Sequence, residues 1–272
     1  MIMRDKCLLA IVGLLVCYIP TKSIAKVRIV GGQDVNISDY PYQASLMLQG
    51  SHICGGTIIS NRTILTAAHC TNGQKASFLS VRVGSSYRTY GGQVIDVARY
   101  HQHPKYTSEP VDYDVSVLIL KDVISHKDAK QLAMASNTTV TESGVGVITG
   151  WGTLSYQGIL PSRLQMAEVP IVNLDKCKQI YSSRLVNKRA VCAGGGSIDS
   201  CQGDSGGPLV VNNTLVGIVS WGRGCGYEGF PGVYASVSAL RSFIDESNSA
   251  NNLYTTQCIF YVIAYTFVHL IY

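Results

Sequence analysis

Between Ile29 and about Ser247, short apolar runs rich in β-branched residues alternate with clusters of Gly, Asn, Ser and Asp. The runs read ASLMLQG, TIISNRTILTAA, LSVRVGSS, QVIDVARY, DVSVLILK, VGVITGWG, LQMAEVPIV, GPLVVNN, TLVGIVSWG and GVYASV. Strands of this length between turn-forming clusters predict an all-β sandwich or barrel rather than strands alternating with long helices. Only Ser236 to Glu246 has helical periodicity, with Val237, Leu240, Phe243 and Ile244 on one side. The polar stretch Asp122 to Ser143 reads as loop, and there is no repeat or low-complexity linker.

The two ends break the pattern. Arg4 and Lys6 precede thirteen apolar residues, Cys7 to Ile19, too few to span a bilayer comfortably. Ser23-Ile24-Ala25 then supplies a small-x-small cleavage pattern, so residues 1–25 read as a signal peptide removed before Lys26. At the other end, Cys258 to Tyr272 is fifteen mostly apolar residues without Lys, Arg, Asp or Glu. Small Ser247-Asn248-Ser249 and the mostly polar Ala250 to Gln257 precede it, so 248–272 has the layout of a GPI-anchor signal. A short retained membrane tether and an unprocessed tail are the alternatives. Four Asn-x-Ser/Thr sequons, at Asn36, Asn61, Asn137 and Asn212, are candidate glycosylation sites in an exported chain.

Composition narrows the field. A chain of 272 residues, 46% hydrophobic and 14% charged, is long enough for one large domain or two small ones and can fill a core. Its net charge of +5 invites a nucleic-acid partner, but residues 1–28 hold five of the 22 basic residues and one of the 17 acidic ones. The remainder is nearly neutral, and no nucleic-acid binding is expected. Nine cysteines in an exported chain imply disulfides. Cys7 and Cys17 fall in the leader and Cys258 in the tail, leaving Cys54, Cys70, Cys177, Cys192, Cys201 and Cys225.

The densest chemistry lies in Asp199 to Leu209, DSCQGDSGGPL, which crowds two acids and two serines among glycines with no basic residue. A serine hydroxyl is a poor nucleophile until a base takes its proton and a third group fixes that base. LTAAHC places His69 directly before Cys70, where a disulfide, with Cys54 the candidate partner, would pin the backbone beside the imidazole. DYDVSVLIL places Asp114 at the mouth of an apolar strand, where a carboxylate is costly unless hydrogen-bonded. His52, His101, His103 and His126 read as structural.

These three settings, in the order His69, Asp114, Ser205, resemble the chymotrypsin/trypsin family of serine proteases. The resemblance runs from Ile29 to about residue 247 and includes IVGG, YPYQASL, CGGTIIS, TGWG, SWG and PGVY. It implies two six-stranded antiparallel β-barrels packed together with a C-terminal helix. It also implies a base, an orienting acid and a nucleophile at His69, Asp114 and Ser205. Ser220 resembles the serine that supports the acid, beside the substrate pocket, and the N–H groups of Gly203 and Ser205 would form an oxyanion hole. Asp204 would pair with a new α-amino group at Ile29, freed by cleavage after Arg28, which makes 26–28 a short propeptide and 29–247 the protease domain. Asp199 would sit at the base of the specificity pocket, with Gly222 and Gly232 in its walls, favouring Arg or Lys before the scissile bond. Cys201–Cys225 would join those walls, Cys177–Cys192 would brace a neighbouring loop, and Cys54–Cys70 would complete the set. The loop Gly84 to Gln93 lacks the acids with which vertebrate trypsins hold calcium, so neither metal nor cofactor is expected. The expected product is a monomeric, secreted endopeptidase meeting protein or peptide substrates and protein protease inhibitors.

Overall fold

The computed structural model describes residues 32–136, 143–182 and 184–249. The leader, Arg28 and Ile29, the Asn137 sequon, and the tail from Ala250 onward with Cys258 lie outside the described residues.

Twelve strands carry the architecture. The first six are β1 (Gln43–Leu48), β2 (Ser51–Ser60), β3 (Thr63–Thr66), β4 (Leu79–Val83), β5 (Gln93–Gln102) and β6 (Ser116–Leu120). They close into a barrel in the order β1-β2-β3-β6-β5-β4, antiparallel throughout. The second six are β7 (Val145–Gly150), β8 (Gln165–Val172), β9 (Ala190–Gly194), β10 (Pro208–Val211), β11 (Thr214–Trp221) and β12 (Pro231–Ser236). They pair as β8-β7-β10-β11-β12-β9, and β9 returns to β8, so each strand has the same neighbours as its counterpart in the first barrel.

The sequence pattern explains these elements. In β4, Leu79, Val81 and Val83 are buried while Ser80 and Arg82 alternate outward, a period-2 strand with one wet face. All five residues of β6 are buried, the apolar run Val117–Leu120 in the core and Ser116 with its hydroxyl accepting from Thr71. Asn212 and Asn213, at φ 48° and 56°, make the two-residue turn between β10 and β11, a conformation that asparagine tolerates well. Leu46, Ile58, Leu65, Val81 and Leu118 fill the first barrel and Ile148, Val169, Leu209, Ile218 and Tyr234 the second, within one continuous core.

Helices are few: α1 (Ala68–Thr71), α2 (Leu174–Tyr181) and α3, residues 241–249. The pattern overlooked α2, which begins where the Asn173 side chain accepts from the N–H groups of Asp175 and Lys176. The C-terminal helix starts later than Ser236. Ser236 N–H still donates to Arg189 and Val237 N–H to Val216, so these residues finish the sheet before the chain can coil. Val237, Leu240 and Ile244 are buried as expected, and Phe243 packs on His103. Ser247, at the start of the small-residue triplet, is buried in α3, and the Asn248 side chain accepts from Thr63 of β3. Among the described residues no helix is long and apolar enough to cross a membrane.

Candidate active site

The barrels meet where only glycine fits. Gly55 of β2 donates its N–H to the Ser205 carbonyl at 2.7 Å, and a Cβ on Gly55 would lie 2.8 Å from the Gly207 backbone. Gly206, at φ +78°, presses on the other side of the seam, where a Cβ would fall 2.1 Å from Thr66 Oγ1. This close approach sets Ser205 against the Thr66-Ala67-Ala68-His69 corner that leaves β3. The Cys54–Cys70 disulfide clamps the same corner, with Cys70 Sγ 3.7 Å from the Ser205 carbonyl.

His69 and Asp114 meet inside the first barrel's rim. Asp114, 2% exposed ahead of β6, accepts the His69 backbone N–H at 2.9 Å through Oδ1 and the imidazole Nδ1–H at 2.8 Å through Oδ2. Ser220 of β11 donates to Oδ2 at 2.5 Å. Burial alone would raise the Asp114 pKa. The imidazole beside it and the hydrogen bonds from His69 and Ser220 instead hold the carboxyl below its usual range. With Nδ1–H committed to Asp114, Nε2 is left as the proton acceptor of the neutral ring.

Around Ser205 the backbone is wound so that some N–H groups are used and others are not. Asp204 N–H donates to Cys201, Gly206 N–H to Val219 and Gly207 N–H to Asp204. Among the described residues the N–H groups of Gly203 and Ser205 donate to nothing. Two unpaired donors at a half-buried serine could both receive an anionic oxygen. Gly203 adopts φ +99°, and a Cβ there would lie 2.9 Å from Leu160.

His52 supports this turn, a role the sequence reading missed. Its Nε2 meets the Gly203 carbonyl at 3.0 Å, which as a pure acceptor requires Nε2–H, so Nδ1 accepts from Ser45 Oγ at 2.8 Å. Burial lowers its pKa to about 4, keeping the ring neutral. The available signal was its place in β2, two residues before buried Cys54 and therefore in the inward phase of the strand. His103, by contrast, stacks between Tyr113 and Phe243, and His126 packs against Gly84, both away from the serine.

A cavity of about 290 Å³ opens beside Ser205. Asp199, Ser205, Ser220, Trp221, Gly222, Gly232 and the Cys201–Cys225 disulfide line it. Gly222 and Gly232 lie side by side in its wall, since a Cβ on the first would stand 3.7 Å from the Cα of the second. Asp199 is 3% exposed and accepts N–H groups from Ser200 at 2.8 Å and Gly226 at 3.1 Å. Burial pushes its pKa up to about 6 despite these bonds. An acid so placed favours a cation at the end of a slot. The Cys177–Cys192 disulfide ties α2 to β9 nearby.

Asp204 points the other way, into a socket made by TGWG. Gly152 N–H donates to Oδ1 at 2.7 Å and Cys201 N–H to Oδ2 at 3.0 Å, and a Cβ on Gly150 or Gly152 would strike the carboxylate at 2.1 or 2.2 Å. Its pKa is pushed up to about 6, by burial first and then by the charge of Asp199. Arg28 and Ile29, its expected activation partners, are outside the described residues.

Metal chemistry finds little purchase here. Cys54, His69 and Cys70 bring ligand-type atoms within 4.8 Å of one another, but both sulfurs are joined in the disulfide.

Comparison with known proteins fits this geometry. The family model described as trypsin matches residues 29–244. The chain is 40% identical over 233 residues to a vitellin-degrading protease of Bombyx mori, covering 84% of this chain and 88% of that protein. It is 42% identical over 222 residues to trypsin delta of Drosophila melanogaster (80% and 87% covered). With trypsin 5G1 of Aedes aegypti it shares 43% over 225 residues (80% and 84% covered). Among solved structures, mouse neuropsin, a serine protease, superposes with a TM-score of 0.72 at 36% identity, covering 79% of this chain and 97% of that one. The chain belongs to the trypsin family of serine proteases.

Proposed function

We propose that this protease is a secreted endopeptidase that cuts after Arg or Lys and is made as a zymogen activated between Arg28 and Ile29. The observation that carries the specificity is Asp199, a buried carboxylate in a cavity whose wall includes the adjacent Gly222 and Gly232. A guanidinium or ammonium group reaching it replaces lost water with a charge-assisted hydrogen bond, while an apolar side chain would leave the acid unpaired.

The chemistry follows from the site. His69 Nε2 takes the Ser205 proton as Oγ attacks the scissile carbonyl, and the negative oxygen turns toward the N–H groups of Gly203 and Ser205. Asp114 holds the ring and stabilises the imidazolium. The imidazolium then gives its proton to the departing amine, forming an acyl-enzyme that water, deprotonated by His69, hydrolyses to free acid and Ser205. A new ammonium at Ile29 would offset the charge of Asp204 in its socket, completing the turn that carries both oxyanion donors. The leader read in residues 1–25 would export the chain, and protein inhibitors that present Arg or Lys would occupy the same cavity.

The test is hydrolysis of short peptides by protein cut after Arg28, comparing Arg or Lys with Tyr or Phe before the scissile bond. Ser205→Ala serves as the blank. Strong preference for basic residues is expected. Equal rates on Tyr peptides would remove Asp199 from its assigned role.

A further inference from the structure

The loop between β4 and β5, Gly84 to Gly92, contains no acid, yet it is tightly organised. Arg82, on the outward face of β4, reaches back beneath it. One guanidinium N–H₂ group donates to the Gly91 carbonyl at 2.5 Å and the other to the Thr89 carbonyl at 3.1 Å. Ser85, 5% exposed, accepts from Tyr87 N–H at 2.9 Å, and its hydroxyl lies 3.0 and 2.7 Å from the carbonyls of Tyr87 and Tyr90. Four loop carbonyls thus face donors of the chain itself. Gly92, at φ +65°, allows the turn to close where a Cβ would meet the Val83 carbonyl at 2.1 Å.

The closed loop holds the second barrel. The Ser86 carbonyl accepts from Leu164 N–H at 2.7 Å and from the Trp151 indole at 3.3 Å, and Ser86 Oγ accepts from Ile37 N–H at 2.9 Å. Arg88 donates its backbone N–H to Ser162 at 2.9 Å and Nε–H to Pro161 at 3.2 Å. Trp151 is 1% exposed, and the next residue, Gly152, gives Asp204 its 2.7 Å hydrogen bond. From Arg82 to Asp204 the path runs through its hydrogen bonds to Thr89 and Gly91, the loop backbone back to Ser86, the Trp151 indole hydrogen bond, the Trp151–Gly152 peptide and the Gly152 hydrogen bond.

We propose that Arg82 is a positioning residue for the protease reaction: a cation built into the chain, it closes the Gly84–Gly92 loop without a metal and thereby fixes the Trp151–Gly152 socket of Asp204. A planar guanidinium suits this task because its fork meets two carbonyls at fixed spacing, where a hard metal would ask for carboxylate oxygens. The inference rests on the proposed roles of Asp204 and the adjoining oxyanion donors.

The test uses full-length protein cut after Arg28, comparing the parent with Arg82→Gln, Arg82→Lys and Ser85→Ala. Ser85→Ala loosens the loop while keeping the cation, should Arg82→Gln fold poorly. Hydrogen exchange over residues 150–164 should speed up about tenfold in Arg82→Gln and Ser85→Ala. In both, kcat on an Arg peptide should fall about tenfold with KM within twofold, and Arg82→Lys should recover part of both. EDTA and calcium should leave the parent unchanged within twofold. Exchange and kcat like the parent's in both loosened variants would overturn the proposal. So would an EDTA-treated parent that behaves like Arg82→Gln, because the loop would then be closed by a metal. A folded, cut parent with no hydrolysis would sink the enzyme reading instead, while the exchange measurement would still judge the Arg82 link.

Discussion

Ser220 donates to the same oxygen of Asp114 that receives His69 Nδ1–H. The hydroxyl comes from the second barrel and the acid from the first, so one carboxylate oxygen is held from both halves of the molecule. Replacing Ser220 by Ala removes one donor from a buried carboxylate, raising its pKa and loosening its grip on the ring. A lost hydrogen bond to a charged group costs about 1.5–3 kcal/mol, so kcat/KM should fall at least tenfold. Steady-state kinetics check this, and the acid limb of the pH–rate profile should move with it.

Asp199 predicts a pH dependence for ligand binding. Its pKa, raised to about 6 by burial, means that the free pocket holds a protonated acid below pH 6 and a carboxylate above it. An amidinium ligand such as benzamidine needs the carboxylate. Its Kd on the Ser205→Ala protein should therefore be about tenfold weaker at pH 5 than at pH 7. Calorimetry on that variant avoids turnover, and Asp199→Asn should give weak binding with a flat profile.

Asp204 and Gly152 should fail together. On the proposed activation, Asp204→Asn would leave a new ammonium at Ile29 without its counter-charge, and Gly152→Ala drives a methyl group into the carboxylate. Active-site titration after verified cleavage should find less than a tenth of either variant competent. A fully titratable Gly152→Ala protein would show that the socket does not control the serine turn.

His52 carries a stability prediction with a definite sign. Its folded pKa, lowered to about 4 by burial, lies below the ordinary 6.5, so between these values the unfolded chain binds more protons than the native one. Its contribution is complete above pH 6.5 and is lost as pH falls toward 4. The buried acids run the opposite way. Asp199 and Asp204, both near 6, favour the native state at low pH and withdraw that support as pH rises from 3.8 to 6. His52→Gln should therefore gain melting temperature relative to the parent as pH falls from 7 to 4.5, whichever way the parent itself moves. It should also lower kcat more than it raises KM, because the Gly203 turn loses its support.

Much of this was readable before any coordinates. Turn clusters at regular spacing gave the all-β class, and the glycines around Ser205 marked a backbone under tight steric demand. The ring closures, pairing residues as distant as Val172 and Cys192, left no trace in local pattern. α2 was hidden because it spans only eight residues, too short a window for the apolar spacing of Leu174, Cys177 and Tyr181 to stand out from loop. His52 looked like an ordinary strand histidine because its partner, Gly203, lies 151 residues away. The Gly84–Gly92 loop contains no acid, and the cation that closes it belongs to the preceding strand, where Arg82 looks like any outward residue.

The glycine seam also governs when His69, Asp114 and Ser205 can meet. His69 and Asp114 belong to the half made first, and Ser205 and Ser220 to the half made last. A growing chain can complete its first barrel with a base and an acid but nothing for them to activate. The nucleophile is brought to them only when Gly206 and Gly207 dock against Gly55 and Thr66. The seam therefore brings base, acid and nucleophile together only at the last assembly step, and in the proposed zymogen the cut after Arg28 must still follow.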